Sequence, residues 1–143
     1  SICEVPGHTP GSVVVLDERS NRLFTGDAIG SGYGVWMQTP TAVPLETYYE
    51  SLVHLLKWLV DRGGRMSFHG GHRYQMFQSS HVPSFNPPSL GLLCDLIDLV
   101  DQIIHGKIVG RISNVDNIME LEPVLYAAYG RAEIQYKASN IRI

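Results

Sequence analysis

The chain has few cysteines, no excess of basic residues and no long apolar run. Its 143 residues include only Cys3 and Cys94, which are far apart and show no metal-binding spacing, so we expect two reduced, mostly buried thiols. This cysteine usage favours a cytoplasmic location. The formal net charge of −3 argues against nucleic-acid binding, and no apolar run is long enough for a membrane span.

What is present is typical of one globular domain. Hydrophobic residues make up 44% of the chain and charged residues 17%, which is enough apolar material for a core. The first residues, S-I-C-E, have neither a methionine nor the basic region of a signal peptide. We therefore expect further residues to precede Ser1 in the natural protein.

The most informative stretch runs from Val5 to Asp27. Two turn-forming Pro-Gly dipeptides bracket His8 and place it on a tight loop between strands. The β-branched run Ser12–Leu16 is typical of a strand buried on both faces. A polar turn leads to a return strand at Leu23–Thr25, and Asp27 follows its end. A histidine and a carboxylate therefore both lie on loops next to strand ends.

Two motifs in this stretch, P-G-H-T-P-G-S and F-T-G-D-A, resemble consecutive motifs of the metallo-β-lactamase-fold superfamily of metal-dependent hydrolases. The resemblance implies that His8 is a ligand of a first zinc and that Asp27 bridges two zincs. It also implies that a later Gly-His supplies a ligand of the second zinc, and Gly71-His72 is the candidate here. His69, in the same F-H-G-G-H-R segment, is the alternative ligand, but the glycine before His72 fits the family pattern better.

The opening motif of that family, His-x-His-x-Asp-His, is not among the 143 residues. We expect it upstream of Ser1. The resemblance therefore implies an α/β chain that forms the C-terminal half of a metallo-β-lactamase-like αββα sandwich. In this division, residues 1–88 carry the metal motifs, and residues 89–143 form a helix and a terminal β-hairpin.

Hydrophobic periodicity predicts two amphipathic helices, Leu45–Asp61 and Leu90–His105, the second with Ser89 as its N-cap. Shorter patterns predict a strand at Arg65–Phe68 and a terminal hairpin from Val124–Tyr129 and Glu133–Tyr136. We expect one mostly antiparallel sheet with both helices on one face. The helical residues His54, Asp95, Asp98, Asp101 and His105 are interpreted as solvated positions rather than metal ligands.

Two long irregular stretches, Ala28–Pro44 and Arg73–Pro88, are candidates for functional loops. The first carries apolar residues directly after Asp27, which either form a wall of a substrate pocket or anchor the loop in the core: Tyr33, Val35, Trp36 and Met37. Arg73 either contacts an anionic substrate or is an ordinary surface cation. Thr9 and Ser12 are candidates for hydrogen bonds that orient the metal ligands.

The function implied by the resemblance is a zinc-dependent hydrolase with two zincs per complete domain. A metal-bound hydroxide would attack a thioester, a lactone or another ester-like bond of a small-molecule substrate. A second hypothesis is a non-catalytic fragment or degenerate scaffold with an incomplete metal site. A third is a di-iron redox member with a fused flavin domain, but no flavin-binding motif is visible in the chain.

Overall fold

The computed structural model describes residues 1–30, 34–73, 86–113 and 122–143. In those ranges the chain forms two α-helices, α1 (Leu45–Val60) and α2 (Leu90–Ile104). The strands are β1 (Ile2–Glu4), β2 (Val13–Asp17), β3 (Arg22–Gly26), β4 (Val35–Trp36), β5 (Ser67–Gly70), β6 (Arg111–Ile112), β7 (Leu125–Tyr129) and β8 (Ala132–Tyr136). The architecture is a mixed α/β fold. Neither helix in these ranges is long and apolar enough to cross a bilayer.

The first sheet has the strand order β1-β2-β3-β5. The β2–β3 hairpin is the one predicted from the sequence, with Leu16 opposite Leu23. β5 pairs with β3 in parallel, and Leu23 lies opposite Phe68 in that pair. Leu16, Leu23 and Phe68 are all buried, so this row is part of the face that packs against the core.

The second sheet has the strand order β4-β8-β7-β6. Its centre is the predicted terminal hairpin, β7 and β8, in which Ala127 lies opposite Ile134. The short strand β4 adds in parallel to β8, with Val35 opposite Ile134. These three side chains are buried and contribute to the same core as the first sheet.

Both predicted helices are present, and each ends one residue before its predicted limit. Ser89 caps α2 as predicted, because its side-chain oxygen accepts a hydrogen bond from the backbone N–H of Leu92 at 3.0 Å. The helices pack against each other; α1 also contacts β1, and α2 contacts β7 and β8. Leucines of both helices and the inner faces of both sheets form one hydrophobic cluster.

The prediction of a single sheet with both helices on one face is wrong. The described chain has two sheets, and the helices contact different ones. The reason is that β4 and β6 have two residues each, too few to leave a periodic pattern in the sequence. The predicted strand at Arg65–Phe68 is shifted to Ser67–Gly70.

Two predictions about burial are also wrong. β2 is buried on one face only, since Val13 and Val15 are 42% and 40% exposed while Val14 and Leu16 are buried. A β-branched run satisfies strand propensity on either face, so it does not distinguish the two cases. Of the two free cysteines, Cys3 is buried but Cys94 is exposed.

Candidate metal centre

The loops that carry His8, Asp27 and the F-H-G-G-H-R histidines lie at one edge of the first sheet. β1 is antiparallel to β2, and β2 is antiparallel to β3, so β1 runs in the same direction as β3 and its parallel neighbour β5. His8 follows the end of β1, Asp27 directly follows β3, and His72 follows β5 by two residues. The carboxyl ends of three strands therefore present the three predicted ligands at the same edge.

Asp27 and His72 are in direct contact. His72 Nε2 lies 3.0 Å from Asp27 Oδ1 and 3.3 Å from Oδ2. Two cross-strand bonds hold their backbones together: the Thr25 hydroxyl donates to the His69 carbonyl at 3.3 Å, and the Gly71 N–H donates to the Gly26 carbonyl at 3.4 Å. The parallel pairing of β3 with β5 therefore places the Asp27 carboxylate next to the His72 imidazole.

The carboxylate of Asp27 has one oxygen that lacks a hydrogen bond. His72 Nε2 meets hydrogen-bond geometry with Oδ2, whereas Oδ1 is buried and has no such partner despite the 3.0 Å approach. A buried carboxylate oxygen that accepts no hydrogen bond is costly. A cation that replaced the Nε2 proton would be held by Oδ1 and by the lone pair that the imidazole nitrogen then has.

The contact of the His8 ring with a backbone carbonyl indicates which ring nitrogen could bind a metal. Its Nδ1 lies 2.6 Å from the carbonyl oxygen of Trp36, which can only accept a hydrogen bond. Nδ1 therefore carries the proton, and in the neutral ring Nε2 keeps its lone pair. Metal-bound histidines in proteins commonly donate their other ring N–H to a backbone carbonyl in this way. The Thr39 hydroxyl also donates to the His8 carbonyl at 3.3 Å and fixes the backbone of the loop.

Tyr48 of α1 connects the His8 loop with the Asp27 turn. Its buried hydroxyl donates to the Ala28 carbonyl at 2.5 Å, one residue after Asp27. Its ring packs on Gly7, where a Cβ atom would come within 2.4 Å of the ring, so only glycine fits directly before His8. Burial raises the pKa of the Tyr48 hydroxyl far above its ordinary value, so the group stays neutral.

His69 faces away from this contact. Its Nε2 lies 3.2 Å from the Ser67 hydroxyl, and its ring stacks at a tilt on Phe24 with a centroid distance of 5.4 Å. Phe24 is 45% exposed and lies on the outer face of the sheet. Of the two histidines that the sequence offered, His72 is the one that reaches Asp27.

The described residues do not gather three metal-binding side chains at one point. His8 lies on the loop that follows β1, and β2 separates β1 from β3, so this loop starts about 10 Å from the Asp27 strand, two strand spacings away. This spacing is compatible with the division that the resemblance implies, in which His8 and His72 bind different metals. Thr9 and Ser12 bond to each other rather than to a candidate ligand, with their hydroxyl oxygens 3.0 Å apart.

In its described part, the loop after Asp27 is anchored in the core by apolar side chains. Val35 and Met37 are buried, whereas Trp36 is 37% exposed. Tyr33 and residues 74–85, including most of the second predicted functional loop, lie outside the described residues. Arg73 is exposed.

Gln38 was not predicted as a site residue. It is buried, and its amide oxygen has no hydrogen-bond partner in the described structure. The only signal in the sequence is a polar residue directly after the apolar run V-W-M.

No family model, no curated protein and no solved structure matches this chain. The resemblance to the metallo-β-lactamase-fold superfamily therefore stays a prediction carried by two motifs. What the structure adds is geometry: one sheet edge, a contact between Asp27 and His72, and a His8 ring with its Nδ1 proton donated to a carbonyl.

Proposed function

We propose that this chain supplies part of the metal site of a zinc-dependent hydrolase that cleaves a thioester, lactone or other ester-like bond in a small molecule. The observation that carries the proposal is the contact between Asp27 and His72, at 3.0 Å, on adjacent parallel strands. A second support is the His8 ring, whose Nε2 is available for a metal.

The side-chain types of the three candidate ligands fit zinc. Imidazole nitrogens and a carboxylate are borderline and hard ligands that zinc accepts, and the carboxylate has two oxygens for two metals. We propose His8, Asp27 and His72 as the ligands from this chain, with Asp27 central to catalysis. When bound, zinc acidifies a coordinated water and polarises the substrate carbonyl.

This ligand set is incomplete for two zincs. A zinc site needs at least three protein ligands, and the described residues bring only Asp27 and His72 into contact. The resemblance implies that further ligands belong to the His-x-His-x-Asp-His motif, which is not among these 143 residues. The proposal therefore predicts a weak metal site in the chain alone and a tight one only when further ligands are supplied.

Equilibrium dialysis with metal analysis tests the proposal. We expect the 143-residue chain to bind zinc weakly and to hydrolyse no ester, thioester, lactone or β-lactam above background. Extending the same polypeptide by its natural upstream residues should restore two metals per chain, and Asp27→Ala in the longer protein should abolish most activity. Tight, stoichiometric zinc on the short chain would show that the ligand assignment is wrong.

The two neighbouring histidines give a matched control. His72→Gln should reduce zinc affinity by at least about tenfold, because it removes a ligand in contact with Asp27. His69→Gln should leave affinity within about twofold, because His69 packs on Phe24 instead. A larger effect of His69→Gln would reassign the ligand.

The alternative function is a non-catalytic scaffold of the same fold, in which Asp27 and His72 form only an ion pair. One observation favours it: His72 Nε2 and Asp27 Oδ1 already lie 3.0 Å apart, a distance at which the two side chains can pair directly. In that case the longer protein would bind no metal, and Asp27→Ala would change its stability but no activity.

A further inference from the structure

The pairing of β3 with β5 changes register just before the two strands reach the candidate ligands. The register passes directly from one residue pair to the next: Phe24–His69 and then Gly26–Gly70. β3 therefore has one residue more than β5 at this point, and that residue, Thr25, forms a β-bulge. Bulges are rare in parallel pairs, and they are over-represented next to active sites, where they change the direction of a side chain. This bulge directly precedes the turn that carries the candidate carboxylate.

The backbone of Thr25 closes the turn that carries Asp27. The Thr25 carbonyl accepts a hydrogen bond from the Ala28 N–H at 3.0 Å, which is the pattern of a four-residue β-turn. Gly26 occupies the second position of this turn with φ +51°, a conformation that glycine adopts without steric cost. Asp27 occupies the third position. The direction of its carboxylate therefore depends on how the backbone of Thr25 is held.

The side chain of Thr25 reaches the strand of the other ligand. Thr25 is completely buried, and its hydroxyl is within hydrogen-bond distance of two carbonyl oxygens, that of His69 at 3.3 Å and that of Gly26 at 3.4 Å. A hydroxyl has one proton, so the two carbonyls share it. The contact with His69 crosses to β5, three residues before His72. The hydroxyl therefore connects the strand that leads to Asp27 with the strand that leads to His72.

The two ligand-bearing loops meet backbone to backbone just beyond this contact. The Gly71 N–H donates to the Gly26 carbonyl at 3.4 Å, and a Cβ on Gly71 would lie 3.1 Å from the Gly26 Cα. Each of these glycines directly precedes a candidate ligand. The hydrogen bond from Gly71 and the one from the Thr25 hydroxyl are both long for their type, so we expect neither to hold the loops in place by itself.

We propose that Thr25 is a positioning residue, whose hydroxyl spans the bulge and keeps the His72 imidazole in contact with the Asp27 carboxylate. This proposal rests on the proposed function, since that contact is the candidate zinc site. Thr25 is not itself a ligand in this role. It preorganises the ligand pair, and the loss of such a supporting contact commonly weakens metal binding about ten- to a hundredfold.

Three substitutions separate positioning from stability. Thr25→Val keeps the shape of the side chain and removes the hydroxyl, whereas Thr25→Ser keeps the hydroxyl and removes a buried methyl group. We expect each to lower the Tm by roughly 3 °C, the first through a carbonyl that loses its donor and the second through a small cavity. Ser51→Ala is the control, because it removes a hydroxyl from a residue that is 8% exposed but bonds within α1, to the Thr47 carbonyl at 2.9 Å.

The first readout needs no metal. In the 143-residue chain, Asp27→Asn changes the group that contacts the His72 ring, so the NMR signals of that ring should shift. We expect the shift to fall below about half in Thr25→Val and to persist in Thr25→Ser and in Ser51→Ala. The proposal is overturned if Asp27→Asn produces no shift, if the shift stays full-sized in Thr25→Val, or if Thr25→Val and Thr25→Ser lose it equally.

The second readout is zinc affinity, measured by NMR titration of the same chain with zinc chloride, which suits weak binding. We expect Thr25→Val to weaken binding by about tenfold and to have no further effect in the presence of His72→Gln. If Asp27→Asn and His72→Gln leave zinc affinity unchanged while the ring still responds to Thr25→Val, the hydrolase proposal fails and the positioning role of Thr25 stands. If zinc affinity responds to both ligand substitutions but not to Thr25→Val, only the role of Thr25 fails.

Discussion

At the residue scale, Tyr48 determines how the His8 loop and the Asp27 turn are held together. Tyr48→Phe removes the hydroxyl that bonds to the Ala28 carbonyl and leaves that carbonyl unpaired in the core. We expect a loss of about 1–3 kcal/mol in the free energy of unfolding. Urea unfolding of both proteins measures this difference in the free energy of unfolding. Tyr49→Phe is the control, since the Tyr49 hydroxyl has no hydrogen bond within the described part of the chain, and it should change stability by less than about 0.5 kcal/mol. Equal effects would contradict the assignment.

We expect two tyrosines, Tyr48 and Tyr126, to limit stability at alkaline pH. Burial raises the pKa of Tyr48 far above its ordinary value, and loss of hydration, followed by the hydrogen bond to Glu133, raises the pKa of Tyr126 to about 12. A raised pKa in the folded state contributes stability below the unfolded value near 10, and this stability is lost as the pH rises above it. We therefore expect thermal stability to decline between about pH 10 and 12, and Tyr126→Phe to make that decline shallower. An unchanged slope would show that Tyr126 titrates normally.

The sequence predicts the candidate ligands better than their surroundings. His8, Asp27 and His72 are identified by short motifs whose chemistry depends on local spacing. The carbonyl of Trp36 and the hydroxyl of Tyr48 are not, because each acts through a contact between segments that are distant in sequence. No local pattern records such a contact.

At the element scale, the second sheet depends on a close approach at Gly34. A Cβ there would lie 2.6 Å from the backbone of Glu133 in β8, and the residue has φ +80°. Gly63, with φ +88°, has open space around it. Gly63→Ala should cost about 1 kcal/mol, from backbone strain alone. Gly34→Ala should cost at least about 3 kcal/mol, since β4 must also move away from β8. Chemical denaturation of the two variants gives the difference, and equal costs would show that β4 adjusts freely.

The same elements show where sequence patterns fail. Helices α1 and α2 have apolar residues at a sustained helical period; their predicted first residues are correct, and their predicted ends are one residue too late. The β2–β3 hairpin has a local turn and was also predicted correctly. β4 joins β8 across about a hundred residues through two positions, Val35 and Trp36. A pairing of that length and separation leaves no periodic signal, so the second sheet could not be predicted.

At the scale of the whole molecule, the first sheet has one face on the core and one apolar face toward solvent. Ile2, Val15 and Phe24 lie side by side in the strand register, and they are 66%, 40% and 45% exposed. Val13, which is 42% exposed, adds to this apolar row along β2. β1 is an edge strand of the sheet. Clustered apolar side chains next to an open strand edge favour association between molecules.

Val15→Lys tests whether this face controls solubility. Val15 lies between Ile2 and Phe24, so a lysine there places a charge in the middle of the apolar row without touching the core. We expect light scattering to show less association at a given protein concentration, with the Tm changed by no more than about 3 °C. Val109→Lys adds the same charge at a position that is 81% exposed and belongs to neither sheet, so it controls for net charge. If both lysines reduce association equally, the effect comes from net charge, and the apolar face of the first sheet is not its cause.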